Sequence, residues 1–202
     1  MKTNPDQSIP ELKAALRSQI RAAIRSVSPD ERTAASRLVC QRLEQFSIWR
    51  DADAILFYAP LADEVDVWPL LAVALAKGKM IALPRFRANQ DAYEACLLTN
   101  LSQDLQPGNF GVREPSDRCP VIPINQLDLV LVPGVAFAVD GHRLGRGKGY
   151  YDRLLANVRG AKCGLAFEQQ VVTEIPAEPH DRTLDCIVTP TRLVAIGQDA
   201  AK

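Results

Sequence analysis

LDLVLVPGVAFAVDGHRLGRGKGYYDRLL, residues 127–155, is the stretch that decides how this chain reads. A continuous apolar run, residues 127–132, predicts a buried strand. An amphipathic run from Tyr150 to about Val158 predicts a helix. Between them Gly134, Gly141, Gly145, Gly147 and Gly149 are interleaved with Arg143, Arg146 and Lys148. Strand, glycine-rich basic loop, helix is the layout of an anion cradle. Glycine lets backbone N–H groups turn toward an anion and approach it closely, and a helix N-terminus adds positive potential. The spacing excludes two familiar loops. A Walker A loop needs Ser or Thr after its lysine, and Gly149 follows Lys148; Gly145-x-Gly147-x-Gly149 also misses the GxGxxG dinucleotide spacing. Asp152 is the nearest carboxylate able to carry a metal. The plainer alternative is a basic surface turn joining two elements.

Composition bounds the rest. At 202 residues the chain suits a single domain, 1–202, with its core over about residues 8–197. Lysine and arginine balance aspartate and glutamate at 24 each, so no global field favours nucleic acid or a membrane surface. The basic charge is local, which suits a small anionic ligand. No apolar run reaches membrane-spanning length, and the first residues lack a signal peptide's apolar core. Cys40, Cys96, Cys119, Cys163 and Cys186 are scattered, with no CxxC pair, which argues against a zinc site and for reduced thiols in a cytoplasmic protein.

Outward from the loop, helices alternate with short apolar strands. Ser8-Ile9-Pro10-Glu11 and Ser28-Pro29-Asp30-Glu31 both read as helix starts with a capping box. The first helix is expected to run to about Val27 on a stripe of Leu12, Leu16, Ile20 and Ile24. The second is expected to run to about Phe46, burying Leu38, Val39, Leu43 and Phe46. Lys13 and Arg17 share one face of the first helix, whose ordinary fate is solvent. Residues 54–58, 80–83, 93–98, 161–167 and 186–188 read as strands, and 67–76 as a helix. Asp63, Glu64 and Asp66 follow the strand at 54–58, at the strand end where ligands gather in open α/β sheets. By themselves they read as a helix cap, a helix-start charge and a surface acid. Arg85, at the end of another strand, is either an anion contact or a surface arginine. The pattern is an α/β sandwich with a largely parallel sheet.

The central stretch closely resembles the signature of the 5-formyltetrahydrofolate cyclo-ligases, PG-x-AFD-x-x-G-x-RLG-R/Y-G-x-GYYD. Ala138-Val139-Asp140 stands where many members read Asp directly after Phe. LQPGNFGVREP, residues 105–115, resembles the family's Gly-x-x-Gly-Ile-x-Glu-Pro segment, and the ending around His180-Asp181 and Asp185-Cys186-Ile187-Val188-Thr189 is also similar. The resemblance spans roughly residues 13–196. It implies a three-layer fold like that of ribose-5-phosphate isomerase and the CoA-transferases. It implies ATP-dependent closure of 5-formyltetrahydrofolate, with or without a polyglutamate tail, to 5,10-methenyltetrahydrofolate.

The family's residues carry over at Lys13, Arg17, Glu64, Asp152 and Asp185, and the charges of the loop suggest the remaining roles. Arg146 and Lys148 would act on the transferring phosphate. Lys13, Arg17 and Arg143, with Leu144, Gly145, Gly147, Gly149, Tyr150 and Tyr151, would hold ATP. Glu64 would contact the folate, beside the segment from Arg146 to Tyr150, with Asn109 or Phe110 in the pocket lining. Asp152 and Asp185 would hold magnesium, Asp181 being the rival to Asp185. The protein would act as a monomer, without nucleic acid or membrane partners. Two other classes use an anion loop: a sugar-phosphate or CoA-handling enzyme of the same fold, and a non-catalytic nucleotide- or folate-binding protein.

Overall fold

The computed structural model describes residues 8–108, 111–179 and 181–197. Asn109, Phe110 and His180 lie outside the described residues. Chain order gives α1 (Ile9–Arg25), α2 (Pro29–Glu44), α3 (Ser47–Arg50), β1 (Ala54–Leu56), α4 (Trp68–Ala76), β2 (Met80–Arg87), β3 (Ala92–Leu98), β4 (Leu105–Pro107), β5 (Arg113–Pro115), β6 (Val121–Ile122) and β7 (Leu129–Val132). Then come β8 (Ala136–Ala138), β9 (Arg143–Leu144), α5 (Tyr150–Leu155), β10 (Ala161–Leu165), β11 (Val171–Val172), β12 (Cys186–Val188) and β13 (Leu193–Ala195).

An eight-stranded sheet of order β13-β12-β10-β7-β1-β2-β3-β6 carries the architecture. Its centre, β12-β10-β7-β1-β2, is parallel throughout. Antiparallel strands close the edges: β13 on one side, β3 and β6 on the other. The central strands are apolar on both faces because both are covered. Side chains alternate between the faces with period two. Ile55, Ile81, Leu129, Leu131, Cys163 and Val188 face Ile20, Ile24, Val39, Leu43, Leu70 and Leu71 of α1, α2 and α4. Leu56, Ala82, Val130, Val132 and Ile187 pack on the other face against Leu154 and Leu155 of α5 and Phe137 of β8.

The local helix signals act as read. Glu11 accepts the Ser8 backbone N–H at 2.9 Å. Ser28 and Glu31 bond reciprocally, at 3.3 Å and 2.9 Å. Three expectations change. Leu38 is 49% exposed, and Cys40, two positions on, takes the buried place. The second helix ends at Glu44, and α3 then inserts Trp49 into the core. β2 continues past Pro84, where its end was expected. Its pairing with β1 stops at Leu56–Ala82, with a last bond from Phe57 N–H to the Ala82 carbonyl. Beyond that point Pro84 has no neighbour on the β1 side that needs an N–H, and its ring lines a cavity instead.

Candidate active site

The cavity opens at the carboxyl ends of β1, β2 and β7 and has a volume of about 760 Å³. The chain after β1 supplies Tyr58, Leu61 and Glu64; the end of β7 supplies Pro133 and Gly134. The glycine loop and the start of α5 form one wall, from Arg143 to Asp152, and α1 contributes Lys13 and Arg17. Glu178 and Asp181 close it from the segment before β12.

The glycine loop is shaped by residues that only glycine satisfies cheaply. Gly147 has φ +101° and Gly149, the residue preceding α5, has φ +68°. Arg17 packs over Gly147 and donates from Nε to the Gly145 carbonyl at 2.8 Å, so the loop is anchored to α1. Arg143 is buried beneath it. Its Nη1 donates to the Pro133 carbonyl at 3.2 Å, its Nη2 to Asp152 Oδ1 at 2.9 Å, and its Nε has no partner among the described residues. Lys148 stands exposed, and its ammonium has no hydrogen-bond or ion-pair partner among the described residues.

Two more cations sit on carboxylates. Lys13, buried in spite of its expected solvent-facing stripe, lies 2.7 Å from both Glu178 and Asp181. Burial pulls its pKa down, but the two carboxylates outweigh it and hold it above the ordinary lysine value. Arg146 donates from Nε and Nη2 to Glu64 Oε1 at 3.1 and 3.0 Å, and from Nη2 also to Asp63. The Glu64 carboxylate is itself buried. Desolvation pushes its pKa up against the pull of Arg146 and of the Leu61 N–H, which it accepts at 3.0 Å. An aromatic wall completes the site: Tyr93 meets Tyr150 at 5.5 Å and Tyr151 at 5.8 Å between ring centroids.

A buried strand running into a glycine loop anchored to α1, cations poised on carboxylates, and an aromatic wall thus line one cavity. The 5-formyltetrahydrofolate cyclo-ligase family matches the sequence over residues 10–190.

The chain belongs to this family.

Among curated relatives, the mouse 5-formyltetrahydrofolate cyclo-ligase is 30% identical over 189 residues, covering 86% of this chain and 91% of its own. Two solved structures are similar. The 5,10-methenyltetrahydrofolate synthetase of Aquifex aeolicus superposes with a TM-score of 0.84 at 31% identity, over 95% of this chain and 96% of that one. That of Mycoplasma pneumoniae gives 0.72 at 26% identity, over 88% and 98%.

For this cyclo-ligase the cavity gathers Lys13, Arg17, Glu64, Asp152 and every expected residue from Arg143 to Tyr151. It does not gather Asp185. That carboxylate sits at the start of β12, the opposite end of the parallel strands, where it pairs with Lys162 at 2.8 Å and accepts the Lys162 N–H at 2.7 Å. Asp181 is the acid that reaches the cavity. Arg143, expected on nucleotide phosphates, spends two of its donor nitrogens on Pro133 and Asp152. Arg85 is neither an anion contact nor a surface residue: it is buried and bonded to Glu94 at 2.6 and 2.8 Å. Asp63 caps no helix. Val67 is the N-cap of α4 and Asp66, just before it, accepts the Trp68 N–H at 3.0 Å, while Asp63 holds Arg146. Sequence reasoning missed Tyr58, Tyr93, Glu114 and Glu178 as wall residues. Tyr58 carried a signal, standing at the end of the apolar run that forms β1, and Glu114 stands at the Glu of the segment resembling Gly-x-x-Gly-Ile-x-Glu-Pro.

Proposed function

We propose that this cyclo-ligase converts 5-formyltetrahydrofolate and ATP to 5,10-methenyltetrahydrofolate, ADP and phosphate inside this cavity. The observation that carries the reading is a cluster of five cations around a glycine loop, with carboxylates beside three of them and a tyrosine wall beside it. A formamide carbonyl is a poor electrophile and its oxygen a poor leaving group. Transfer of the γ-phosphoryl group to the formyl oxygen breaks the bond to ADP and makes an imidate-like phosphate. N10 then attacks the formyl carbon and loses its proton, and phosphate departs with the former formyl oxygen. Such chemistry asks for alignment and charge neutralisation more than for a nucleophile.

Lys148, an exposed ammonium with no partner among the described residues, meets the transferring phosphoryl group, joined by Arg146. Lys13 and Arg17 take the other phosphates, together with the loop N–H groups between Leu144 and Gly149. Arg143 orients Asp152 and adds charge beneath the loop. Glu64 accepts hydrogen bonds from the pterin's amino and ring N–H groups, as a carboxylate does strongly. Tyr150 and Tyr151 pack beside the flat rings.

Asp152 and Asp181 fit magnesium: both line the cavity, and magnesium takes one or two protein carboxylates with water and phosphate oxygens. Bound there, the ion would neutralise phosphate charge. The reading extends to a cytoplasmic monomer. Five free, buried cysteines favour a reducing compartment. The large exposed apolar side chains Ile9, Leu38, Met80, Val121 and Val139 stand singly on different segments. Kinship with the ribose-5-phosphate isomerase and CoA-transferase folds is supported by the parallel sheet centre and the ligand rim at its carboxyl edge.

The test is the absorbance of methenyltetrahydrofolate formed from 5-formyltetrahydrofolate, ATP and magnesium. Wild-type protein is expected to need all three. Lys148→Ala is expected to lose ~100-fold in rate, as for removal of one charge contact to a transition state. A folded wild-type protein that forms no product refutes the reading.

A further inference from the structure

Resting on the reaction just proposed, we infer that Asp63 is a positioning residue. It holds Arg146 over Glu64 in the ligand-free protein, so that nucleotide and folate favour each other's binding. Three observations carry this. Arg146 sits at the tip of the loop between Gly145 and Gly147, so the flanking backbone does little to fix its guanidinium. Two carboxylates do: Glu64 takes Nε and Nη2, and Asp63 shares Nη2 from outside the cavity wall. Second, this arrangement engages both Glu64 oxygens, Oε1 by two donors of Arg146 and Oε2 by the Leu61 N–H. A pterin entering now meets an acceptor whose Oε1 is already taken by the protein. Third, the three partners differ in exposure. The Glu64 side chain is 7% exposed, while those of Asp63 and Arg146 are 33% and 34% exposed.

The exposure difference sets the coupling. When a phosphate draws Arg146 away, Asp63 is hydrated at little cost, but Glu64 is left as a buried carboxylate without its cation. Pterin N–H donors then fill the vacancy that nucleotide has made. Conversely, a pterin that engages Glu64 frees Arg146 for phosphate. Each ligand alone must open the latch; the second finds it open. Apparent affinity for either ligand alone is therefore reduced by the fraction of protein in the open state, and the same factor appears for both.

The experiment is titration calorimetry of 5-formyltetrahydrofolate and of a magnesium complex of a non-hydrolysable ATP analogue, each with and without the other saturating. In the wild type each ligand is expected to tighten the other by about tenfold, within the usual range of coupling. In Asp63→Asn each ligand alone binds about threefold tighter, as expected for losing one exposed ion pair. Its affinity with the other ligand present is unchanged, so the coupling shrinks by that same factor. Asp63→Glu restores it. An Asp63 that merely supports the loop would instead weaken each ligand and leave the coupling intact, and that result overturns the inference. So does independent binding of the two ligands by a wild-type protein that turns over, an outcome that leaves the reaction standing. A wild-type protein without turnover removes the reaction and this inference with it.

Discussion

Lys13 and Asp181, 168 positions apart, meet at 2.7 Å at the edge of the cavity and fasten α1 to the segment before β12. The same contact gives the two leading acid candidates different fates. Asp181 faces the site, and Asp185, four residues on, pairs with Lys162 at the far edge of the sheet. Asp181→Asn is therefore expected to raise the magnesium concentration for half-maximal activity by at least ~10-fold, the range seen when a metal's carboxylate environment is altered. Asp185→Asn is expected to change it less than about twofold. The reverse ranking would return the metal to Asp185.

Lys13→Met leaves Asp181 and Glu178 facing each other without their cation. Both are partly screened by solvent, so a loss of about 1–2 kcal/mol is expected, below the cost of breaking a fully buried pair. The pH dependence has a definite sign. Lys13 has a folded pKa above its unfolded value of roughly 10.4, so its contribution is complete below that pH. It fades as pH rises through the folded value. Melting curves of wild type and variant are expected to stay a constant distance apart up to about pH 10 and to converge above it.

Glu64 carries the opposite kind of cost. Burial raises its pKa, so the folded protein retains a proton that the unfolded chain has released above about pH 4.3. Stability falls as pH climbs through that interval. Glu64→Gln removes the titration. The variant is expected to melt above wild type at pH 7, with the gap closing toward about pH 4. Its affinity for 5-formyltetrahydrofolate is expected to drop ~10- to 100-fold for loss of a charged hydrogen-bond acceptor. A variant that melts below wild type at pH 7 would show that Arg146 pairing outweighs desolvation.

Gly149→Ala places a Cβ on a residue at φ +68°, costing about 1–2 kcal/mol, or ~2–8 °C in melting temperature for a chain of this size. Gly78, at φ +74° with open space around it after α4, is the control. Gly78→Ala is expected to lose similar stability and keep its activity. Gly149→Ala is expected to lose activity as well, because it bends the loop N–H groups away from the phosphate. Equal activity in both variants would remove the loop backbone from the site.

The sequence by itself determined what acts over a few residues. Ser8 with Glu11 and Ser28 with Glu31 start two helices, since a capping box closes within three positions. The apolar runs at β1, β7, β10 and β12 specify central strands, because only a doubly covered sheet buries both faces. The glycines and cations after β7 specify an anion loop. Helical period was a weaker guide. It put Leu38 on the buried face of the second helix, where Leu38 is exposed and Cys40 is buried instead.

Tertiary structure decided how the charges pair. Arg146 and Glu64 are 82 positions apart, and no local rule joins them. Asp181 and Asp185 are chemically alike and four residues apart in an irregular segment. They diverge because β12 starts between β10 and β13 at the amino edge of the sheet, carrying Asp185 there, while Lys13 draws Asp181 to the cavity. Backbone propensity extends over a turn or two. Ion pairs form where strand order brings loops together, and that order is a property of the whole chain.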